Sequence, residues 1–269
     1  LRKHGLFPKK RLGQHFLIDR NTLNKVIQTA EVGKEDVALE VGSGLGEMTL
    51  ALAHQAKKVI AVEIDPKLVA MLNEKIKFYP NVEVVKSDIL KVDFKRLLKK
   101  EGQPIKVVAN LPYQISTPLL FRFIESKETF STFTLMLQKE VAERLAAHPG
   151  RKEYGPLSIF AQMFLDVTIR FFIKPAAFFP APKVESAVVH MVWKKKPMIK
   201  KEDEEWFKRV VKACFGHRRK TLFNALKHSK LPLVESFESR IEEIGIAPRR
   251  RPETLTIQEY VRLSEALRV

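Results

Sequence analysis

Between Val37 and Gln138 the chain alternates short apolar runs with amphipathic stretches. The runs Val37 to Val41, Val59 to Val62, Val82 to Val85, Ile105 to Ala109 and Phe133 to Leu137 are rich in β-branched residues and bounded by breakers, which predicts strands. The stretches Met48 to Ala56, Lys67 to Lys77 and Pro118 to Glu125 carry helical spacing. Such alternation predicts an α/β fold: a parallel sheet with helices on both faces.

After Leu157 the pattern changes. Val167 to Ile173 and Val184 to Trp193 read as two longer strands separated by the proline-rich Pro175 to Pro182. With no helix between them, they predict an antiparallel edge on the sheet. Lys194 to Pro197 reads as a linker. From Glu202 onward the pattern is helical, with breaks near Pro232, Gly245 to Pro248 and Pro252. The expected organisation is an α/β domain over 1–196 and a small all-helical domain over 197–269. Neither an internal repeat nor a low-complexity tract interrupts this pattern.

Composition narrows the partners. Hydrophobic residues make up 45% of the 269 residues, enough for a sizeable core. No run approaches the roughly 18 to 20 apolar residues of a membrane helix. The basic N-terminus lacks a following apolar signal core of about 7 to 15 residues, so a cytoplasmic location is expected. Cys214, the single cysteine, rules out an intrachain disulfide or a cysteine-cluster zinc site and is expected to be a small buried hydrophobe. Lys and Arg number 48 against 31 Asp and Glu, a net +17. That excess points to a polyanion, nucleic acid first and an acidic membrane surface second. A thermophilic surface would enrich both signs.

Glu40-Val41-Gly42-Ser43-Gly44-Leu45-Gly46 follows the first strand and opens the first helix. Alone, this GxGxG serves equally a tight turn or a nicotinamide or flavin site. Val59 to Glu63 ends the next strand on an acid 21 residues after Gly42, placed to accept from ribose hydroxyls. The third glycine comes one residue earlier than in the dinucleotide fingerprint, which suits a cofactor with no pyrophosphate to cradle. Asp88, after the third strand, can accept from that cofactor's adenine amino group. Three acids, Glu40, Glu63 and Asp88, thus fall at strand ends of one alternating sheet.

The fourth strand runs into Asn110-Leu111-Pro112-Tyr113. The Asn110 amide oxygen can accept one hydrogen of an adenine exocyclic amine and the Leu111 carbonyl the other, favouring a more nucleophilic nitrogen. Pro112 stiffens the turn and has no N–H to compete. Tyr113 offers a face for the base, worth about 1–3 kcal/mol. No general base is needed if the methyl donor is a sulfonium, because the attacked amine becomes acidic. No Ser/His/Asp set competes for the role, and no metal is expected.

With these motifs, the chain resembles the small-subunit (16S) rRNA adenine N6,N6-dimethyltransferases, relatives of the erythromycin-resistance rRNA methylases. The resemblance spans nearly the whole chain, through Lys10 to Leu17, Glu40 to Gly46, Glu63, Asp88, Asn110 to Tyr113, and Phe178 to Val188. It implies a Rossmann-like class I methyltransferase sheet with S-adenosyl-L-methionine as cofactor. It also implies that Gln14, His15 and Leu17 close over the cofactor, His15 standing where many bacterial members have Asn. Gly42, Gly44 and Asn110 would contact the cofactor, Glu63 its ribose and Asp88 its adenine, with Ile64 and Ile89 sandwiching that ring. The target adenine would flip between Tyr113 and Phe178, Phe179 being the other aromatic able to serve.

Phe215 to Leu226, and Arg250 to Glu253 followed by Leu255 to Leu267, resemble the ribosome-assembly branch of the family. Arg218, Arg219, Lys220, Arg249, Arg250 and Arg251 would contact phosphates. The expected activity is dimethylation of two adjacent adenosines in a hairpin near the 3′ end of small-subunit rRNA, on free RNA or a preassembled subunit. The enzyme is expected to be a monomer with no membrane partner. A resistance-type methylase of large-subunit rRNA, or a non-catalytic RNA-binding assembly or transcription factor, are the alternatives.

Overall fold

The computed structural model describes residues 7–196, 198–216, 220–233 and 235–268. A two-residue strand β1 (Phe16–Leu17) and helix α1 (Arg20–Ala30) precede an alternating region. That region comprises β2 (Val37–Val41), α2 (Glu47–Ala53), β3 (Lys58–Glu63), α3 (Pro66–Lys75), β4 (Val82–Lys86), α4 (Phe94–Leu98), β5 (Ile105–Asn110), α5 (Ser116–Glu125) and β6 (Phe130–Gln138). Then come α6 (Lys139–Ala146), α7 (Pro156–Phe164), β7 (Leu165–Ile173), β8 (Phe178–Phe179) and β9 (Ser186–Trp193). Four helices follow: α8 (Glu204–Cys214), α9 (Leu222–Lys227), α10 (Phe237–Glu243) and α11 (Ile257–Ala266).

Seven strands form one sheet in the order β4-β3-β2-β5-β6-β9-β7. Strands β2 to β6 pair in parallel, and β9 runs antiparallel to β6. The five predicted parallel strands are all present, and the expected antiparallel edge begins at β9. Central strand β2 is buried at every position, as a strand covered on both faces must be. Because β2 to β6 run parallel, the loops after β2, β3, β4 and β5 gather at one end of the sheet.

Helices α1, α4, α6 and α7 lie outside the predicted pattern. In α1 the apolar side chains Val26, Ile27 and Ala30 face the core among polar neighbours, and Asp19 caps its start through Thr22 N (2.7 Å). Two compact units emerge. The first gathers the chain up to Ala142 with Val167–Trp193; the second comprises Glu143–Asp166 and the chain from Lys194 onward. The second unit is therefore larger than the expected 197–269 and not contiguous. Buried Phe160 of α7 packs edge-on against Phe207 of α8, at 6.3 Å between ring centres, which joins α7 to the C-terminal helices. Cys214 is fully buried in α8, and burial pushes its thiol upward. No helix among the described residues is long and apolar enough to cross a membrane.

Candidate active site

A cavity of about 250 Å³ opens where β2, β3, β4 and β5 end, closed on one side by residues 11–16. Its walls include Gln14, His15, Gly42, Gly44, Glu63 and Ile64, and then Asp88, Ile89 and the whole Asn110 to Tyr113 tetrapeptide. Residues far apart in the chain thus meet because parallel strands end side by side.

The glycine loop is shaped by close approach. Gly46 has φ of 83°, and a Cβ there would lie 2.6 Å from Leu72 Cδ1, so α2 packs on α3 only with glycine at this position. Gly44 lies under the Phe16 ring, where a Cβ would come within 3.1 Å. The Gly44 amide donates to Glu63 Oε2 (3.0 Å), while Ile64 and Asp65 amides donate to Oε1 (both 2.9 Å). Three backbone donors thus fix the Glu63 carboxylate at the end of β3. Oε2, which accepts only once from these amides, retains a lone pair able to accept a hydroxyl.

Asp88 caps a short 3₁₀ turn, Ile89–Lys91, by accepting from Leu90 N (3.0 Å). The other end of that turn is held by Arg122, a residue of α5 that sequence reasoning did not single out. Its guanidinium donates to the carbonyls of Ile89 (2.6 Å) and Val92 (2.5 Å) and lies 4.8 Å over the Phe94 ring. Buried Ile89 and half-exposed Ile64 both line the cavity.

Glu40, the next-to-last residue of β2, is 2% exposed and accepts from Thr49 Oγ1 at 2.5 Å.

The segment before β1 is tied down through Asp65. Lys9 Nζ lies 2.7 Å from Asp65 Oδ2, and Gln14 Nε2 donates to the same oxygen (3.4 Å). Burial raises the Asp65 pKa, but Lys9, the Lys67 amide and Gln14 outweigh it and leave the carboxyl below its ordinary range. His15 makes three contacts. Its ring stacks on Tyr113 with centroids 5.4 Å apart, its Nδ1 donates to the Pro180 carbonyl (2.6 Å), and its own carbonyl accepts from Asn110 Nδ2 (2.8 Å).

That last bond orients the Asn110 amide. With its nitrogen committed to His15, the amide's remaining polar atom is Oδ1, an acceptor. Leu111 N donates to Met136 O (3.2 Å) and its side chain is buried, fastening the tetrapeptide to β6. The Tyr113 hydroxyl shares a 2.8 Å hydrogen bond with Ser186 Oγ. Burial raises the Tyr113 pKa against the Ser186 hydrogen bond, so it remains a neutral phenol.

Two expected site residues stand elsewhere. Phe178 is 3% exposed and belongs to the core cluster with Val26, Met48 and Val188, so it is no open wall for a base. Its neighbour Phe179, 43% exposed, is the accessible aromatic of the pair. In the two-stranded β1–β8 sheet, Leu17 pairs with Phe178 and Phe16 with Phe179. Leu17 lines a smaller adjoining compartment and not the main cavity.

In the second unit, Arg218 and Arg219 lie outside the described residues. Arg249 and Arg251 are exposed, and Lys220 is half-buried. Arg250 is not available for phosphate. It pairs with both oxygens of Glu259 (2.5 and 3.2 Å) and donates to Thr254 O (2.7 Å). A concave surface lined by Arg209, Lys212 and Lys230 was missed because its cations come from α8 and a loop after α9.

The strand order and the pocket at the strand ends define a Rossmann-like methyltransferase. The chain belongs to the ribosomal RNA adenine dimethylase family, whose sequence model matches residues 7–268, and it draws its methyl group from S-adenosylmethionine. It is 45% identical over 269 residues to the ribosomal RNA small subunit methyltransferase A of Geobacter metallireducens, covering 99% of this chain and 98% of that one. It is 44% identical to the protein of the same name from Shouchella clausii, covering 99% and 92%. Among solved structures, a dimethyladenosine transferase from Plasmodium falciparum matches with a TM-score of 0.79 and 28% identity, covering 93% of this chain and 96% of that one. A 23S rRNA methyltransferase, ErmE, matches at 0.73 and 27%, covering 94% and 99%.

Proposed function

We propose that the chain dimethylates the exocyclic amines of two adjacent adenosines in a hairpin near the 3′ end of small-subunit rRNA, during ribosome assembly in the cytoplasm. The observation that carries the chemistry is the Asn110 amide, held by His15 with its oxygen left to accept. The small-subunit target is supported by the near full-length similarity to proteins named for that subunit, and less by the lower identity to the ErmE structure.

The residues present fit the cofactor. Glu63 and Asp88 supply acceptors for ribose and adenine, Ile64 and Ile89 supply apolar walls, and the glycine loop leaves room beside Asn110. When bound, S-adenosylmethionine supplies a methyl group on a sulfonium, already a strong electrophile. Asn110 Oδ1 accepts one amine hydrogen and the Leu111 carbonyl the other, fixing the nitrogen in line. Tyr113, pinned by Ser186, holds the base face, and Phe179 is the accessible second aromatic. Positioning then contributes most of the rate.

The enzyme acts as a monomer on a partly assembled small subunit. Incubating it with purified small subunits lacking the modification should place methyl groups on adjacent adenines near the 3′ end. Incorporation into large-subunit RNA instead would overturn the reading.

Arg122 acts on cofactor binding through the Asp88 turn. Arg122→Met should raise the Kd for S-adenosylhomocysteine about tenfold, roughly 1.4 kcal/mol, with kcat little changed; Arg122→Lys should recover part of it. A Met variant with unaltered affinity by calorimetry would refute that role.

Among the arginines 249–251, Arg249→Ala and Arg251→Ala should each weaken RNA binding and flatten the salt dependence by about one unit of slope. Arg250→Ala should instead lower the melting temperature, since it breaks the Glu259 and Thr254 contacts. Binding titrations at several salt concentrations, run beside thermal melts, separate the two behaviours.

A further inference from the structure

Residues 11–16 form one wall of the main cavity, and that wall is fastened against the Asn110 to Tyr113 turn. The His15 ring stacks on one face of Tyr113, which leaves the other face to receive a base. Gly13, with φ of 60°, lies against the same turn: a Cβ there would sit 3.8 Å from both Pro112 Cβ and Tyr113 N. Just upstream, Lys9 is ion-paired with Asp65, and its amide donates to Gln14 Oε1 (2.8 Å). The Leu12 amide donates back to Lys9 O (3.0 Å). The backbone around Arg11 is therefore held on both sides.

The Arg11 side chain is not held. It is exposed and lines the cavity, the only lysine or arginine to do so among the described residues. Among those residues its guanidinium has no hydrogen-bond or ion-pair partner. The two acids of the cavity are engaged elsewhere, Glu63 by the amides of Gly44, Ile64 and Asp65, and Asp88 by the Leu90 amide. A planar fork of N–H donors thus stands at the lip of the cavity with no acceptor.

The charge on the cofactor does not call for it. S-adenosylmethionine brings a positive sulfonium into the same cavity, and a free cation there opposes its entry. Polynucleotide brings the opposite sign. An adenine that reaches Tyr113 has left its stack and carries its own backbone with it. The phosphates flanking that nucleotide then come to the lip, and two phosphate oxygens match the guanidinium fork.

On the reading that this chain methylates rRNA adenines, we propose that Arg11 binds a phosphodiester flanking the flipped adenosine. The contact belongs to the first unit and is separate from the cations 249–251 and 218–220 of the second. It carries no sequence information. It holds the backbone in the flipped geometry, so that the base lies on Tyr113 with its amine at Asn110. Arg11 is thus a positioning residue for the target nucleotide, fixed by the same wall that backs the Tyr113 ring.

Methylation of purified small subunits at saturating cofactor, repeated at several salt concentrations, tests this. Arg11→Gln should raise the KM for subunits about tenfold and leave kcat within about threefold. Its dependence of log KM on log salt should be shallower by about one unit, the signature of one lost phosphate contact. Arg11→Lys keeps the charge but loses the fork, so its KM should fall between the two and its salt slope should stay at the wild-type value. By calorimetry, Arg11→Gln should bind S-adenosylhomocysteine within about twofold of wild type and S-adenosylmethionine no more weakly. Its melting temperature should be unchanged, as for an exposed side chain with no partner. An unchanged KM and salt slope in Arg11→Gln would overturn the proposal. A weakened affinity for S-adenosylhomocysteine would overturn it too, by assigning Arg11 to the cofactor's carboxylate. Failure of the wild type to methylate small subunits would overturn the reading on which the proposal rests, and the proposal with it.

Discussion

Asn110→Ala should lower kcat for methyl transfer by roughly 10²–10³-fold, the scale of losing one pre-positioned hydrogen-bonding group at a reacting centre. Two effects add in this variant. The acceptor for the adenine amine disappears, and so does the amide nitrogen that anchors the His15 carbonyl (2.8 Å). The second-unit cations proposed to contact RNA are untouched, so RNA affinity should remain within about twofold of wild type. Asn110→Asp separates the two effects. It keeps an acceptor of nearly the same shape but cannot donate to His15, so its rate should fall between those of wild type and the alanine variant. Single-turnover methylation with saturating cofactor, beside an RNA-binding titration, measures both. An alanine variant turning over within threefold of wild type would sink the assignment.

The second large effect separates two adjacent phenylalanines. Phe178→Ala should cost about 3–5 kcal/mol of stability, because it empties space among Val26, Met48 and Val188 that the core cannot readily refill. Phe179→Ala should cost about 1 kcal/mol or less, since its ring is 43% exposed. Activity should sort the other way: Phe179→Ala should lose target-base affinity while Phe178→Ala, assayed below its melting temperature, keeps it. Chemical denaturation gives the first comparison and the KM for small subunits the second. A Phe178 variant that melts like wild type but fails to hold substrate would restore Phe178 to the target pocket.

Much of the sheet was legible because its central parallel strands β2, β3 and β5 are largely buried and read as short apolar runs between breakers. The cavity was legible through chemistry-bearing residues at strand ends: Glu63, Asp88 and Asn110 fall where consecutive loops must gather. Other features depended on pairings remote in sequence. Strand β1 is two residues long and acquires its place only by pairing with β8. In that pairing adjacent side chains point to opposite faces, so the Phe178-Phe179 motif marks a dipeptide without saying which ring meets the core. Arg122 reads locally as one more basic residue on a helix. Its role exists only because α5 lies beside the Ile89–Lys91 turn. Arg250 reads as one of three equivalent cations until Glu259, which also caps α11, is seen to claim it.

The sequence by itself determined the strand–helix alternation, the acids and the tetrapeptide that meet around one cavity at the strand ends, and the basic excess that points to nucleic acid. These are local patterns whose physical meaning survives without knowing neighbours. Tertiary structure alone decided that Glu143–Asp166 joins the C-terminal helices, that Glu40 is a buried acid bonded to Thr49, and that His15 orients Asn110. Each of these is set by desolvation or by a hydrogen bond between distant segments, and neither can be read until the chain has closed around the site.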